Sequence, residues 1–344
     1  MSKESPSDAR RGHWLARLED TWQGLRYRHG RRRGLVPTVI PFTGYGNPEW
    51  VRVLGRVVLH KPGATPADRF TSIRGWRSFV SIPVNSAEVQ VTAGGTTRTI
   101  RCDRGGVIDT TVTATLRPGW GAIQLGIGTI EVESAVFIVD DTLGFGVVSD
   151  VDDTVMVTAL PRPMLAAWNT FVLDEHARRP VAGMAVLYTR MLHAHPGTPI
   201  IYLSTGAWNV APALTRFLER NLYPRGALLL TDWGPTIDRW FRSGAAHKVE
   251  NLERLAAEFP TMKWLLVGDD GQHDERIYGE FAAAHPQNVS AVAIRQLTSG
   301  EAVLAGGRAE AEVHGGDGVP WVYAQDGAGL MAKLEDLGLL PTNS

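Results

Sequence analysis

Acidic and hydroxyl side chains follow three short apolar runs of the sequence, at points where the chain would leave a buried strand. Asp150 and Asp152 come after the run GFGVV. Ser204 comes after PIIYL, and Asp269 comes after KWLLV. Because ligands bind at the carboxyl ends of the strands in an open parallel sheet, we expect these side chains to lie on one rim.

These residue types suit chemistry on a phosphate group. An ionised Asp150 can attack phosphorus, but its charge repels a phosphate dianion, so a cation is needed. Magnesium prefers oxygen ligands, which Asp150 and Asp269 could supply. Asp152 could protonate the departing oxygen and then activate water, while Ser204 and Lys248 could bind and neutralise phosphate oxygens. The alternative is that each aspartate only caps a strand-to-helix turn.

The elements that would position these residues begin near residue 145. Apolar runs without alternation are typical of strands buried on both faces of a parallel sheet, and they alternate here with segments of helical period. Five such β/α units are predicted, and Lys248 opens the helix expected near 247–258. The expected helices lie within 163–194 and near 209–221, 247–258 and 274–284. A further strand, VPWVYA, and a closing helix, GLMAKLEDLG, follow a glycine-rich stretch.

Residues 35–140 have a different pattern, made of short strands without helical period. Ala93–Gly94–Gly95–Thr96 predicts a tight hairpin, because paired glycines tolerate the positive φ of primed turns. Gly44–Tyr45–Gly46 is interpreted as a turn. The pattern as a whole favours an antiparallel β-sandwich. We therefore predict four regions: a basic amphipathic helix and linker (1–34), a β-sandwich domain (35–142), an α/β domain (143–300) and a C-terminal extension (301–344).

The basic residues are concentrated at the N-terminus, where residues 1–33 hold nine Lys and Arg against four Asp and Glu. An apolar stripe with helical spacing precedes an arginine-rich run, RYRHGRRR, at 26–33. The stripe consists of Trp14, Leu18, Trp22 and Leu25. Two interpretations are open. The helix either docks on the rest of the protein and leaves the arginines solvated, or it contacts an anionic membrane surface.

The overall composition is that of a folded globular protein, with 44% hydrophobic and 21% charged residues. Cys102 is the single cysteine, so an internal disulfide is excluded. The sequence has no apolar run near the roughly 20 residues of a membrane span, and its first residues have no apolar signal core. We predict a cytoplasmic protein, at most peripheral to a membrane, with no nucleic-acid partner. The oligomeric state is left open.

Four motifs in this order resemble those of the haloacid dehalogenase superfamily of aspartate-nucleophile phosphohydrolases. DVDDT at 150–154 fits the DxDxT motif, Ser204 and Lys248 fit the second and third motifs, and GDDGQHD at 268–274 fits GDxxxxD. The resemblance implies a haloacid-dehalogenase-like Rossmannoid parallel sheet. It also implies Asp150 as nucleophile and Asp152 as acid and base.

The same resemblance implies how a cofactor and a substrate would be held. Mg²⁺ would be bound by Asp150, the Asp152 carbonyl group and Asp269, with Asp274 in support. The substrate phosphate would be bound by Thr154, Ser204 and Thr205.

Longer segments are similar to the actin-patch phosphatidate phosphatase family, whose yeast member acts on phosphatidic acid. These segments are SDVDDT (149–154), YLSTGAW (202–208), LLLTDWG (228–234), GQHDERIY (271–278) and, upstream, VPTVIPFTGYG (36–46). Two positions depart from the family pattern. The family usually has Ser where Asp270 stands, and Ser-Pro where Gly206–Ala207 stand.

The resemblance implies a Mg²⁺-dependent phosphomonoesterase that forms an aspartyl-phosphate and converts phosphatidic acid to diacylglycerol and phosphate. One alternative is a phosphatase of the same superfamily that acts on a soluble small-molecule phosphate. A second alternative is a non-catalytic adaptor that binds a lipid or a protein.

Overall fold

Two β-sheets organise the chain, one from each half of the sequence. The structure is a computed structural model that describes residues 24–62, 82–157, 179–231, 237–271, 273–304 and 318–342. The predicted mixed α/β architecture with a parallel sheet in the second half is confirmed. The boundaries of the four predicted regions stay predictions.

The first sheet has eight strands, most of which the sequence pattern predicts. The strands are β1 (Val36–Asn47), β2 (Trp50–His60), β3 (Ile82–Pro83), β4 (Glu88–Ala93), β5 (Thr96–Arg101), β6 (Val107–Thr113), β7 (Gly119–Ile127) and β8 (Ile130–Ile138). The turn between β4 and β5 has positive φ at Gly94 and Gly95, as the predicted primed hairpin requires.

These strands form one curled, mixed sheet in the order β3-β2-β1-β8-β7-β4-β5. The second edge of β2 pairs with β6 over residues 50–56 and with β3 at residues 58–59, so β6 joins the same sheet. β1 and β8 pair in parallel, which links the two halves of the sheet. The predicted antiparallel β-sandwich is therefore not confirmed, because the described strands share one hydrogen-bonded sheet.

The prediction of a turn at Gly44–Tyr45–Gly46 is wrong, because these residues lie inside β1. A bulge between Phe42 and Tyr45 shifts the pairing of β1 with β2 there. A Cβ atom at Gly44 would collide with the Arg52 carbonyl oxygen, and one at Gly46 with backbone atoms of the same neighbouring strand. These glycines let the neighbouring strand approach the backbone of β1 closely. In the sequence, the same glycines look like the signal for a turn.

The second sheet has six parallel strands in the order β13-β12-β9-β14-β15-β16. They are β9 (Phe145–Asp150), β12 (Ile200–Ala207), β13 (Ala227–Thr231), β14 (Lys263–Asp269), β15 (Val289–Arg295) and β16 (Trp321–Ala324). A separate two-stranded ladder joins β10 (Met156–Val157) to β11 (Arg179–Pro180). The predicted C-terminal extension thus contributes the strand β16 to the parallel sheet.

Helices connect and flank the parallel strands. They are α1 (Met184–Ala194), α2 (Ala211–Arg220), α3 (Ile237–Glu258), α4 (Asp274–Ala284), α5 (Ser299–Leu304) and α6 (Gly327–Asp336). Short 3-10 turns lie at Trp208–Val210 and Pro286–Asn288. Most of the stretch expected to hold helices before residue 184 lies outside the described residues.

Helix α3 is longer than predicted, because it begins at Ile237 instead of near residue 247. Lys248 therefore lies in its middle and does not open it. The helix passes through Gly244, where a Cβ atom would lie 3.0 Å from the Thr205 methyl carbon. Glycine lowers the stability of a helix, but at this position it lets α3 pack closely against the chain that follows Ser204.

The two sheets share one apolar cluster, and the curled sheet has a second cluster of its own. Phe42 on β1 stacks on Trp208 with ring centroids 5.2 Å apart, and both side chains belong to the same buried cluster as the parallel strands. A polar network lies beside this contact. Glu258, at the end of α3, accepts hydrogen bonds from the Tyr45 hydroxyl group (2.8 Å) and from Arg52 Nη1 (2.6 Å). Arg52 and Arg254 both bind Asp109 on β6.

The arginine-rich segment is helical over residues 24–32. Gly30 is buried, and a Cβ atom there would contact the side chains of Leu59 and Ile82. The face with Tyr27 packs on the curled sheet, while Arg28 and residues 31–33 are exposed. Leu25, which belongs to the predicted apolar stripe, is 54% exposed, so docking through that stripe is not confirmed, and Trp14, Leu18 and Trp22 lie outside the described residues.

In the part of the chain that the structure describes, we find no helix with both the length and the apolar character needed to cross a membrane.

The substitution Glu258→Ala tests the contact between the two sheets. It removes an acceptor with 14% exposure that serves Tyr45 and Arg52. Because both donors lose a charged partner, we expect the free energy of unfolding, measured by urea denaturation, to be about 2–3 kcal/mol lower than in the wild type. The matched control is Glu88→Ala, whose pair with Arg101 is 63–65% exposed and should change it by less than about 1 kcal/mol. Equal losses in the two variants would contradict this role for Glu258.

Candidate active site

The register of the parallel strands brings the predicted site residues to one edge. Asp150 pairs with Leu203, so the end of β9 lies beside Ser204 on β12. On the other side of β9, Ser149 pairs with Val267, two residues before Asp269 on β14. The chain leaves β9 toward one neighbour and later returns on the other side. Such a reversal of strand order opens a crevice at the carboxyl ends of the strands.

Lys248 reaches this edge from α3 and forms two buried ion pairs. Its Nζ atom lies 2.6 Å from Asp150 Oδ1 and 2.5 Å from Asp274 Oδ1. Burial acts to lower the pKa of Lys248, but the attraction of the two carboxylates outweighs it, so the pKa lies above its ordinary value. Lys248 is therefore a permanent cation, and three separate elements meet at its ammonium group.

Three carboxylates form a compact group at the same place. Oxygen atoms of Asp150, Asp269 and Asp274 all lie within 4.8 Å of one another. Burial raises the pKa of Asp150 and of Asp269 well above the usual range, and the attraction of Lys248 only partly opposes it. Lys248 alone thus does not stabilise all of these buried carboxylates in their ionised form. An oxygen-only set of carboxylates that lacks a second cation among the described residues fits a divalent cation such as Mg²⁺.

Asp152 lies apart from that group. Its Oδ2 atom accepts a hydrogen bond from Ser204 Oγ at 3.0 Å, and Ser204 Oγ in turn accepts one from the Gly206 amide. Its other oxygen, Oδ1, is buried without a hydrogen-bond partner among the described residues. Burial raises the pKa of Asp152 to about 6, against the opposing effects of Lys248 and of the Ser204 hydrogen bond. The Asp152 side chain is thus separate from the three clustered carboxylates.

The other predicted phosphate-binding residues lie at the rim as well. Thr154 is fully buried and its hydroxyl group donates to Asp269 Oδ2 at 3.4 Å. Thr205 follows Ser204 and is partly exposed, and its carbonyl group accepts a hydrogen bond from Thr231. Asp269 also accepts a hydrogen bond from the Gly271 amide at 2.7 Å, which is a turn-capping contact. For Asp269 the capping interpretation and the cluster interpretation are therefore compatible.

The departure at Asp270 has a structural explanation. Its Oδ1 atom accepts the Leu297 amide at 2.7 Å, and its own amide donates to the Arg295 carbonyl group. The side chain thus ties the turn after β14 to the turn after β15 and does not join the three clustered carboxylates. The second departure, Gly206–Ala207, precedes Trp208, which stacks on Phe42.

Sequence reasoning missed the residues that hold the chain behind the carboxylates. Ser149 Oγ donates to the Asp150 carbonyl group at 2.7 Å and lies 2.6 Å from the Tyr188 hydroxyl group. Arg295, at the end of β15, is 4% exposed and donates to the Asp153 carbonyl group at 2.7 Å. Arg295 could have been found from its position, since it is a charged residue directly after an apolar run. Asp232, Trp233 and Gln272 lie outside the described residues.

Comparisons with known proteins relate one region of the chain to a family. The family model described as "Phosphatidate phosphatase APP1, catalytic domain" matches residues 145–296. Residues 145–296 belong to this family. The APP1 catalytic-domain match includes every site residue described above.

Two curated relatives support the APP1 assignment. The phosphatidate phosphatase APP1 of Saccharomyces cerevisiae is 26% identical over 153 residues, which is 44% of this chain and 26% of that protein. An uncharacterised protein of Schizosaccharomyces pombe is 24% identical over 160 residues, which is 46% of this chain and 26% of that protein. The matched region thus spans about a quarter of the length of either relative.

Among solved structures, a carbohydrate acetylesterase from Xanthomonas citri aligns over 75% of this chain and 68% of its own. The TM-score is 0.30 and the sequence identity is 12%. A similarity of this size supports no statement about the fold or the chemistry of the APP1 catalytic domain.

Metal binding at the three carboxylates can be tested by thermal unfolding. Asp269→Asn keeps an Oδ1 acceptor for the Gly271 amide but removes one negative charge from the group. We expect added Mg²⁺ to stabilise the wild type by about 2.7 kcal/mol at 100 times its Kd, and to stabilise Asp269→Asn far less. Asp336→Asn, at an exposed site on α6, should respond like the wild type. An equal response of Asp269→Asn to Mg²⁺, with KCl matched for ionic strength, would exclude the site.

Proposed function

We propose that the protein is a Mg²⁺-dependent phosphomonoesterase with an aspartyl-phosphate intermediate and that phosphatidic acid is its substrate. The observation that carries the proposal is the meeting of Lys248, Asp150 and Asp274 beside Asp269, in a domain of the APP1 catalytic family. These groups come from separate parts of the chain, and together they supply a nucleophile, a fixed cation and oxygen ligands. The haloacid-dehalogenase-like mechanism follows from the same motifs.

Asp150 is the proposed nucleophile. One of its oxygens forms a bond to phosphorus while the bond from phosphorus to the leaving alcohol breaks. Its position supports this role, because it ends a buried strand and its backbone is held by Ser149. The fixed charge of Lys248 favours the ionised form of Asp150 against the effect of burial, and it reduces the repulsion between Asp150 and the substrate phosphate.

Asp152 is the proposed acid and base. In the first step it gives a proton to the leaving oxygen. In the second step it takes a proton from water as the water attacks phosphorus and the bond from phosphorus to Asp150 breaks, which releases phosphate. A pKa of about 6 suits both steps, because the group can gain and lose a proton near neutral pH.

Asp150, Asp269 and Asp274 are the side chains that would hold Mg²⁺, with the Asp152 carbonyl group as a further proposed ligand. When bound, Mg²⁺ would supply positive charge against the phosphate oxygens and the carboxylates. Ser204, Thr154 and Thr205 are the proposed phosphate-binding residues, since hydroxyl groups can donate to non-bridging oxygens. The raised pKa of the buried carboxylates supports the need for a cation beyond Lys248.

The choice of substrate rests on the family. The yeast relative is a phosphatidate phosphatase, and the upstream segment at 36–46, which resembles that family, packs against the site-bearing half through Phe42 and Trp208. A soluble small-molecule phosphate is the alternative substrate for the same chemistry. A non-catalytic adaptor is disfavoured by the complete set of charged and hydroxyl groups at one edge of the sheet.

Hydrolysis assays with Asp150→Asn test the proposal. We expect the wild type to release phosphate from phosphatidic acid in detergent micelles and from 4-nitrophenyl phosphate, with EDTA removing both activities. Because Asn is a poor nucleophile, Asp150→Asn should lose about 1,000-fold or more in kcat. The exposed Asp141→Asn is the control and should be fully active.

The outcomes of these assays separate the alternatives. Activity on soluble phosphates without activity on phosphatidic acid would reject the lipid substrate and keep the chemistry. Equal background rates in the wild type and in Asp150→Asn would favour the adaptor. Mass spectrometry of acid-quenched wild-type enzyme should find one phosphoryl group added on Asp150. The absence of this group from the wild type would reject the covalent intermediate.

We also propose peripheral contact with anionic membranes through the exposed arginines of the helix at residues 24–32 and of the turn at residue 33. Arg28, Arg31, Arg32 and Arg33 are exposed, and each basic residue can contribute about 1 kcal/mol near anionic lipid. We expect vesicles with anionic lipid to retain the wild type at low salt and to lose the variant with these four residues changed to Gln. The control variant changes four exposed arginines of the curled sheet to Gln: Arg98, Arg101, Arg104 and Arg117. Equal retention of both variants would reject the contact.

A further inference from the structure

We infer that Arg295 is a positioning residue that holds the acid Asp152 in place through the backbone of the loop after β9. The inference rests on the proposed function, because it concerns the step in which Asp152 gives a proton to the leaving group. Neither the motifs nor the family description assigns a role to this arginine.

Arg295 is a buried guanidinium group with four polar contacts in three directions. It donates to the Asp153 carbonyl group at 2.7 Å, to the Gln325 carbonyl group at 3.2 Å and to both oxygens of Glu301 at 2.8 and 2.9 Å. Both contacts with Glu301 come from one nitrogen, Nη2, while Nε binds the Gln325 carbonyl group and Nη1 binds the Asp153 carbonyl group. Because each of the three nitrogens has its own partner, the plane of the guanidinium group is fixed with Nη1 directed at Asp153.

Glu301 is itself held firmly. Its Oε2 atom accepts the Thr298 amide at 2.8 Å, and its own amide donates to the Thr298 hydroxyl group at 3.3 Å. This reciprocal pair is a capping box at the start of α5. Burial acts to raise the pKa of Glu301, but the hydrogen bonds from Arg295 and Thr298 outweigh it and hold the pKa below its ordinary value. Glu301 is therefore an ionised anchor for Arg295.

The loop that Arg295 contacts has an unusual backbone. Asp153 has a φ of 58°, in the left-handed region that favours glycine. Within the loop, the Asp153 amide donates to the Met156 carbonyl group at 2.8 Å, and the amides of Val155 and Met156 donate to Val151. A strained residue persists only where its surroundings hold it, and the bond from Arg295 to the Asp153 carbonyl group is such a restraint.

Asp152 depends on this loop more than Asp150 does. Asp150 ends β9, pairs with Leu203 and binds Lys248. Asp152 lies beyond the strand, with one oxygen held by Ser204 and the other buried without a partner among the described residues. The Asp153 carbonyl group belongs to the peptide bond between Asp153 and Thr154, so its release would let the left-handed backbone of Asp153 relax and would shift the neighbouring Asp152. Loss of Arg295 should therefore displace the acid Asp152 more than it displaces the nucleophile Asp150.

The dependence of the hydrolysis rate on the leaving group tests whether the acid is affected more than the nucleophile. Phenyl phosphate needs a proton on its leaving oxygen, whereas 4-nitrophenyl phosphate has a much better leaving group of similar shape. We expect Arg295→Gln to lower kcat/KM about 100-fold for phenyl phosphate and about 10-fold or less for 4-nitrophenyl phosphate. Arg295→Lys keeps the charge but not the three nitrogens that bind separate partners, so it should recover only part of the loss on phenyl phosphate.

A matched control removes an arginine with similar contacts far from the loop. Arg190 pairs with Glu335 at 2.6 Å and donates to the Pro341 carbonyl group at 2.7 Å. Arg190→Gln should change the rates with both esters by the same small factor. An Arg295→Gln variant that loses equal activity on both esters, or none, would overturn the inference.

Amide hydrogen exchange provides a readout that does not depend on turnover. In Arg295→Gln we expect faster exchange at Asp153, Val155 and Met156, with unchanged exchange in β9 and β14. Unchanged exchange at these three amides would overturn the inference. If Arg295→Gln does not fold, Glu301→Gln gives the same test, because it removes the charge of the Glu301 anchor and retains Arg295. A wild type that hydrolyses neither ester marks the failure of the proposed function, and it would overturn the role in catalysis too.

Discussion

The burial of one ammonium group among carboxylates is the constraint on which the site depends. Lys248 leaves water at a large cost in solvation, which only close and well-oriented partners can offset. Asp150 and Asp274 are those partners, at 2.6 and 2.5 Å. Because they belong to β9 and to the start of α4, their ion pairs keep α3, β9 and α4 in a fixed relation. Lys248 alone does not stabilise all of the buried carboxylates beside it, including Asp269, in their ionised form.

The curled sheet takes part in the same arrangement. Glu258 ends the helix that carries Lys248, and it binds Tyr45 and Arg52 of the curled sheet. Phe42 stacks on Trp208, four residues after Ser204. The first half of the chain therefore contacts both α3 and the segment that follows the site strand β12. These contacts give the curled sheet a structural role beside any separate binding role.

Local patterns predicted the buried parallel strands, because VVS, IIYL, LLL and WLLV are apolar without alternation. They failed where tertiary contacts override a local signal. Gly44 and Gly46 suggest a turn, but they lie in a strand whose neighbour leaves no room for a Cβ atom. The sequence predicts that the helix of Lys248 begins near residue 247, but α3 begins at Ile237, and its Gly244 packs on Thr205. In both cases the glycine allows close packing with a distant part of the chain. The conformational preference of a single residue does not predict such a contact.

The sequence by itself determined the residue types, their spacing within each motif and the strand ends at which Asp150, Ser204 and Asp269 lie. Only the tertiary structure decided that Lys248 binds both Asp150 and Asp274 and that Asp152 faces Ser204 instead of the three clustered carboxylates. It also decided that Arg295 holds Asp153, from which it is separated by 142 positions. Spacing along a chain limits only near neighbours, whereas contacts between distant residues depend on strand order and on how helices pack across the sheet.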